Sequence, residues 1–180
     1  MMQAYLKKHG PTFSGHSIKI SWQRSDRAVV IDFQIQKRIG PAWQVDEVYT
    51  QDWSKNWGLW NKDVIEAFLQ LRKDENDLKA PYLEIQVSPL NQPFALIIVE
   101  PRNTFFAPKE LSFKTEVTLT PKMWSGKMEV ILPPELTGDK LYGGFFSCLS
   151  DDPREFYALS PNPELNPDFH RPELFLSLDE

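Results

Sequence analysis

The sequence predicts an all-β protein, an antiparallel β-sandwich of eight to ten strands with little helix. Three observations carry this. Apolar and polar residues alternate with a period of two in one segment after another, the mark of strands with one buried and one wet face. Fifteen prolines, thirteen of them from Pro81 onward, leave no gap in the second half that a long helix would fill, because proline breaks a helix interior. Turn residues separate the alternating runs at short intervals, as in sandwiches.

Taken in order, residues 17–22 form the first extended run. Residues 28–37 place Val29, Ile31, Phe33 and Ile35 opposite Val30, Asp32, Gln34 and Gln36. Residues 61–73, NKDVIEAFLQLRK, are ambiguous. Val64, Ile65, Phe68, Leu69 and Leu71 sit at helical spacing behind possible caps Asn61 and Asp63, and Glu, Ala, Leu and Gln are strong helix formers. Read as a strand, the same segment turns Val64, Glu66, Phe68 and Gln70 one way and Ile65, Ala67, Leu69 and Leu71 the other. Strands follow at 82–88, with Leu83, Ile85 and Val87 inward, at 94–99, and at 112–120, with Phe113, Thr115, Val117 and Leu119 on one face. Runs at 127–132, 142–149, 155–159 and 174–178 complete the set.

The chain has 180 residues, 41% hydrophobic and 25% charged, with 23 aromatic rings. That suits a single domain over 1–180 and excludes a disordered chain. A net charge of −5 with no basic patch argues against nucleic-acid binding, which relies on phosphate attraction. No apolar run approaches the roughly 20 residues of a membrane helix. Cys148 is the single cysteine, so neither a disulfide within the chain nor a cysteine zinc site is available. It reads as a small buried hydrophobe. The N-terminus MMQAYLKKHG lacks a secretory h-region, which makes a cytoplasmic setting the default. An extracytoplasmic one applies if a leader has been trimmed.

Residues 53–66 hold three of the six tryptophans, Trp53, Trp57 and Trp60, between polar residues and one glycine. A wet indole forgoes burial worth about 2–3 kcal/mol, so it usually has a partner to cover it. Either these rings plug an open end of the sandwich, or they stack on a flat ligand such as a sugar.

The blocks LWNKDVIEAF, YLEIQVSP, FFAPKELSF, WSGKMEVILPPEL and FHRPELF follow one another in this order. In this they resemble the family 9 carbohydrate-binding modules and their wider relatives, the DOMON-like β-sandwiches, over about residues 15–178. The resemblance implies a jelly-roll-like sandwich of about nine to ten strands with a cleft at one end. It also implies non-catalytic, weak binding of a mono- or oligosaccharide, with two tryptophans clamping the ring and a glutamate on its hydroxyls. The first tryptophan falls on Trp60 and the glutamate on Glu66, expected to be ionised, which requires 61–73 to be a strand despite its local propensity. No tryptophan follows Trp124, so Phe169 or Tyr157 would have to serve as the second ring, or nothing would.

Other candidates come from placement. Glu84 and Gln86 share a strand face with Tyr82 and Ser88 and are expected to meet ligand hydroxyls. Arg102, at a strand end, forks onto a carboxylate or a sugar. His170 reads as a structural hydrogen-bonding group. Asp151 and Asp152 suggest a possible structural calcium, with no other cofactor expected. A glycosidase needs two carboxylates of separated pKa, and nothing in the sequence isolates Glu66 or Glu84 in an apolar pocket. Two alternatives stand beside sugar binding: a scaffold or protein-interaction sandwich, and a DOMON-type haem carrier using Met123, Met128 and His170.

Overall fold

Alternation along the chain becomes two antiparallel sheets packed face to face. The structure is a computed structural model that describes residues 1–9, 16–37, 42–149, 154–161 and 167–179. Its strands are β1 (Met2–Tyr5), β2 (Lys7–Lys8), β3 (His16–Ser25), β4 (Ala28–Lys37), β5 (Val64–Arg72), β6 (Tyr82–Val87) and β7 (Pro93–Glu100), followed by β8 (Thr104–Phe106), β9 (Ser112–Leu119), β10 (Met123–Ile131), β11 (Lys140–Leu149), β12 (Glu155–Ala158) and β13 (Leu176–Ser177). The smaller sheet runs β1-β3-β4-β10-β9. The larger runs β2-β12-β11-β5-β6-β7-β8, with β13 paired to β11. Among the described residues helix is confined to two three-residue 3-10 turns, Leu59–Asn61 and Pro172–Leu174. Among the described residues no helix is long and apolar enough to cross a membrane.

The segment with helical spacing is strand β5. It pairs with β11 from Lys140↔Arg72 to Cys148↔Val64 and with β6 from Ile65↔Val87 to Gln70↔Tyr82. Two flanking strands supply backbone partners along its length, and tertiary pairing overrides local helix preference. Both of its faces are buried, which explains the ambiguity. A strand covered on both sides loses the clean alternation that would have marked it. The expectation of one buried face per strand therefore fails for β5 and β6. It holds for β3 and β4, whose patterns alternate.

Between the sheets lies the main core, with Ile18, Ile20, Ile31 and Ile35 from the smaller sheet against Ile65, Leu69, Leu83, Ile85 and Ile97 from the larger. A second apolar layer covers the outer face of the larger sheet. It contains Val64, Phe68, Tyr82, Phe94, Leu96, Ile98, Phe146, Cys148 and Phe175. The expected strand at 174–178 shrinks to β13, because Pro172–Leu174 is a 3-10 turn that carries Phe175 into this layer. β1, ahead of the residue-15 start of the resemblance, pairs with β3 through Met2↔Trp22 to Tyr5↔Lys19.

Candidate functional site

Three neighbouring strands build the floor of a cavity on the outer face of the larger sheet. On β5 the even residues face outward, so Glu66 leaves the main core while Ile65 and Ala67 enter it. Register then sets Glu66 beside Gln86 of β6. Glu84, two residues away on β6, is a diagonal neighbour on the same face, and it pairs across with Leu96 of β7. The cavity is about 280 Å³, just under the roughly 300–1,000 Å³ usual for small-molecule sites.

Two loops supply its walls. The 42–61 loop is tied down by Asn56, fully buried, whose Nδ2 donates to the carbonyls of Thr50 (2.7 Å) and Pro93 (2.6 Å). The Asn56 Oδ1 accepts from the Thr50 amide at 2.8 Å. Gln92 Nε2 holds the same loop through the carbonyls of Asp46 and Tyr49 at 2.9 and 3.1 Å. Gly58, at φ 89, starts the 3-10 turn that presents Trp60; this left-handed conformation suits glycine because a Cβ would crowd the backbone. Trp57 and Trp60 meet edge-on at 4.9 Å, and Trp57 stacks on Phe105 of β8 at 5.4 Å. On the other side, Phe169 stacks on Phe146 of β11 at 4.4 Å and meets Phe156 of β12 at 6.2 Å. Strand order thus puts the acid floor of β5 and β6 between aromatic rings over β11–β12 and over β7–β8.

The floor is polar and poorly satisfied. Gln86 Nε2 donates to Glu84 Oε1 at 2.6 Å, while Gln86 Oε1 is buried without a partner. Glu66 is 4% exposed and makes no hydrogen bond to any described residue. Burial pushes its carboxyl well above the usual range, the charge of Glu84 adds to this, and Arg154 opposes it. The expected ionised carboxylate is therefore corrected to one whose protonated form burial favours. Burial also pushes Glu84 up to about 7, against the lowering effect of the Gln86 bond. Burial, which the sequence does not reveal, thus raises both acids.

Charged groups close the rim. Arg102 pairs with Asp168 at 3.0 Å. Arg154 donates to the carbonyls of Trp60 and Lys62, lies over Phe156, and has an unpartnered Nε. His170 Nδ1 shares a 2.7 Å hydrogen bond with the Tyr82 hydroxyl, and its Nε2 lies 3.9 Å from Glu84. Burial lowers its pKa, favouring the neutral ring.

Trp60, Glu66, Glu84, Gln86, Arg102 and Phe169 all line this cavity. The cavity lies on the outer sheet face, however, and not at an end of the sandwich, because every floor residue points away from the other sheet. Tyr157, the other candidate second ring, is buried in the main core. Trp53 packs against that core too. The haem ligand set is not assembled: Met128 is in the core between the sheets, whereas His170 lies on the opposite face of the larger sheet. Asp151 and Asp152 lie outside the described residues. Among the described residues no cluster of three or more His, Cys, Asp or Glu is placed to hold a metal. Arg154, Phe156 and Asp168 also line the cavity. Nothing in their local sequence marks them, since β12 pairing with β11 places Phe156 and chain segments distant in sequence bring Arg154 and Asp168 there.

No protein-family model matches the chain. A rat protein named UPF0462 protein C4orf33 homolog is 35% identical over 123 residues, which cover 65% of this chain and 58% of that protein. Its human counterpart, UPF0462 protein C4orf33, is 32% identical over 127 residues, covering 67% and 60%. The match thus spans less than two thirds of these relatives' length. Among solved structures, a family 9 carbohydrate-binding module from Caldicellulosiruptor kristjanssonii in complex with cellotriose superposes with a TM-score of 0.64 at 17% identity, over 97% of this chain and 79% of that one. Its glucose complex gives 0.60 at 17%, over 96% and 82%. The chain shares their fold.

Proposed function

We propose that the cavity binds a mono- or oligosaccharide weakly and without chemical change. The observation that carries this is the unsatisfied polar floor of Glu66 and Gln86 set between aromatic walls. A pyranose has hydroxyls around its rim and C–H groups on its faces, so it can satisfy both kinds of surface. The fold shared with modules solved in complex with glucose and cellotriose supports the reading. Of the six residues, Trp60 and Phe169 serve as stacking faces. Glu66, Glu84 and Gln86 meet hydroxyls, and Arg102 stands at the rim. Burial favours the protonated form of Glu66, whose hydroxyl donates while Gln86 Oε1 accepts.

Glu66 and Glu84 share one floor on adjacent strands. Burial raises both acids in the same direction, whereas a glycosidase needs one protonated acid and one ionised base or nucleophile, which supports binding over hydrolysis. Covering about 80–100 Å² of a sugar face with an indole contributes roughly 2–2.5 kcal/mol. Association entropy takes back several kcal/mol, leaving an affinity in the micromolar to millimolar range.

Titration of simple mono- and disaccharides, followed by tryptophan emission and calorimetry, tests the proposal. Trp60→Ala should weaken binding about thirtyfold, the equivalent of about 2 kcal/mol. If no such sugar changes the emission or releases heat at about tens of millimolar, sugar binding is wrong.

A further inference from the structure

The floor carries more acid than its surroundings neutralise. Neither Glu66 nor Glu84 has an arginine or lysine within 4.0 Å among the described residues. Arg102 is engaged by Asp168. Arg154 reaches Glu66 through its charge, with Nη2 donating to two backbone carbonyls and Nε unpartnered, so one guanidinium stands against two acids. Cys148, on the neighbouring strand β11, is a buried thiol that burial keeps protonated. His170, whose Nε2 lies 3.9 Å from Glu84, is pushed by burial toward its neutral form. Beside the acids, Gln86 Oε1 adds an acceptor with no donor.

Three adjacent acceptor groups enclosed by aromatic rings are a receptor for a cation as much as for a hydroxyl. Ring faces attract ammonium groups, the more so where water is excluded. A buried carboxylate is strongly stabilised by a paired, hydrogen-bonded counter-charge. Resting on the saccharide reading above, we propose that this cavity selects an amino sugar, whose protonated primary amine seats beside Glu66 and Gln86 Oε1. On binding, the Glu66 carboxyl gives its proton to solvent, and the carboxylate so formed pairs with the ammonium group. Net charge in the cavity stays constant, which removes the obstacle that keeps Glu66 protonated in the empty site.

Calorimetry at pH 6 with glucose, glucosamine and N-acetylglucosamine tests this, since the three share a ring and only the second carries a cation. Glucosamine should bind about tenfold more tightly than the other two. Repeating it in two buffers of different ionisation enthalpy should show release of about one proton per glucosamine and none for glucose. Glu66→Gln, which keeps the shape, should abolish both the preference and the proton release. Its far-ultraviolet circular dichroism should match the parent. Equal affinity for glucose and glucosamine, or glucosamine binding without proton release, overturns the amine proposal and leaves saccharide binding standing. If none of the three sugars binds, both proposals fall together. Should Glu66→Gln not fold, the acetylated sugar and the buffer comparison decide the matter on the native protein.

Discussion

Stability should fall as pH rises through neutrality, and Glu84 should account for much of the fall. Its side chain is 6% exposed and accepts from Gln86, and burial raises its pKa from 4.5 to about 7. A carboxyl raised in the folded state binds its proton more tightly there than in the unfolded chain. Its stabilising effect is complete below pH 4.5, is lost through the window from 4.5 to about 7, and does not return above it. At about 1.4 kcal/mol per pH unit the loss approaches about 3 kcal/mol, of which about 2.5 falls between pH 5 and 8. Glu66 acts in the same direction. His170 acts oppositely: its lowered pKa makes stability rise with pH through the region below about 6.5. Glu84→Gln separates these effects, because it can still accept from Gln86 yet cannot ionise. In urea, the parent midpoint should drop by about 1 M from pH 5 to 8, and the variant should show at most half that drop. A parent midpoint that is flat or climbs over this range while the variant behaves identically would refute the reasoning.

Two further outcomes follow from the same packing. Asn56→Ala removes the three hydrogen bonds that fix the tryptophan loop and leaves the Pro93 carbonyl without that donor. It should cost about 2–4 kcal/mol and shift tryptophan emission to the red; unchanged stability would show that the loop is held otherwise. Cys148 is 5% exposed, with its thiol pKa raised by burial. It should react with a thiol-specific disulfide reagent more than about tenfold slower in the native protein than after unfolding, and equal rates would contradict the burial.

The sandwich was legible because its evidence is local. In β3 and β4 buried residues alternate with wetter ones, and in β9 half-buried with exposed ones, so the pattern can be read without knowing the partners. The short edge pieces β1, β2 and β8 were missed, since two to four residues carry too little period to detect. β5 shows the limit. Its composition satisfies a helix and a strand equally, and the direction of Glu66 was reached through a resemblance to other sandwiches instead of from the residues themselves.

By itself the sequence determined that this chain is antiparallel and rich in strands, and that an unusual cluster of indoles precedes β5. Alternation and proline placement act over a few residues, and no distant contact is needed to interpret them. Tertiary structure alone decided that β5 is a strand, because only pairing with β6 and β11 satisfies its backbone there. It also decided that Phe169 and Phe156 face Trp57 and Phe105 across a floor of acids, since the segments that carry them are far apart in the chain. The raised pKa of Glu66 belongs to the same category. A carboxyl's charge depends on how much water and which neighbours surround it, and those are properties of the folded packing.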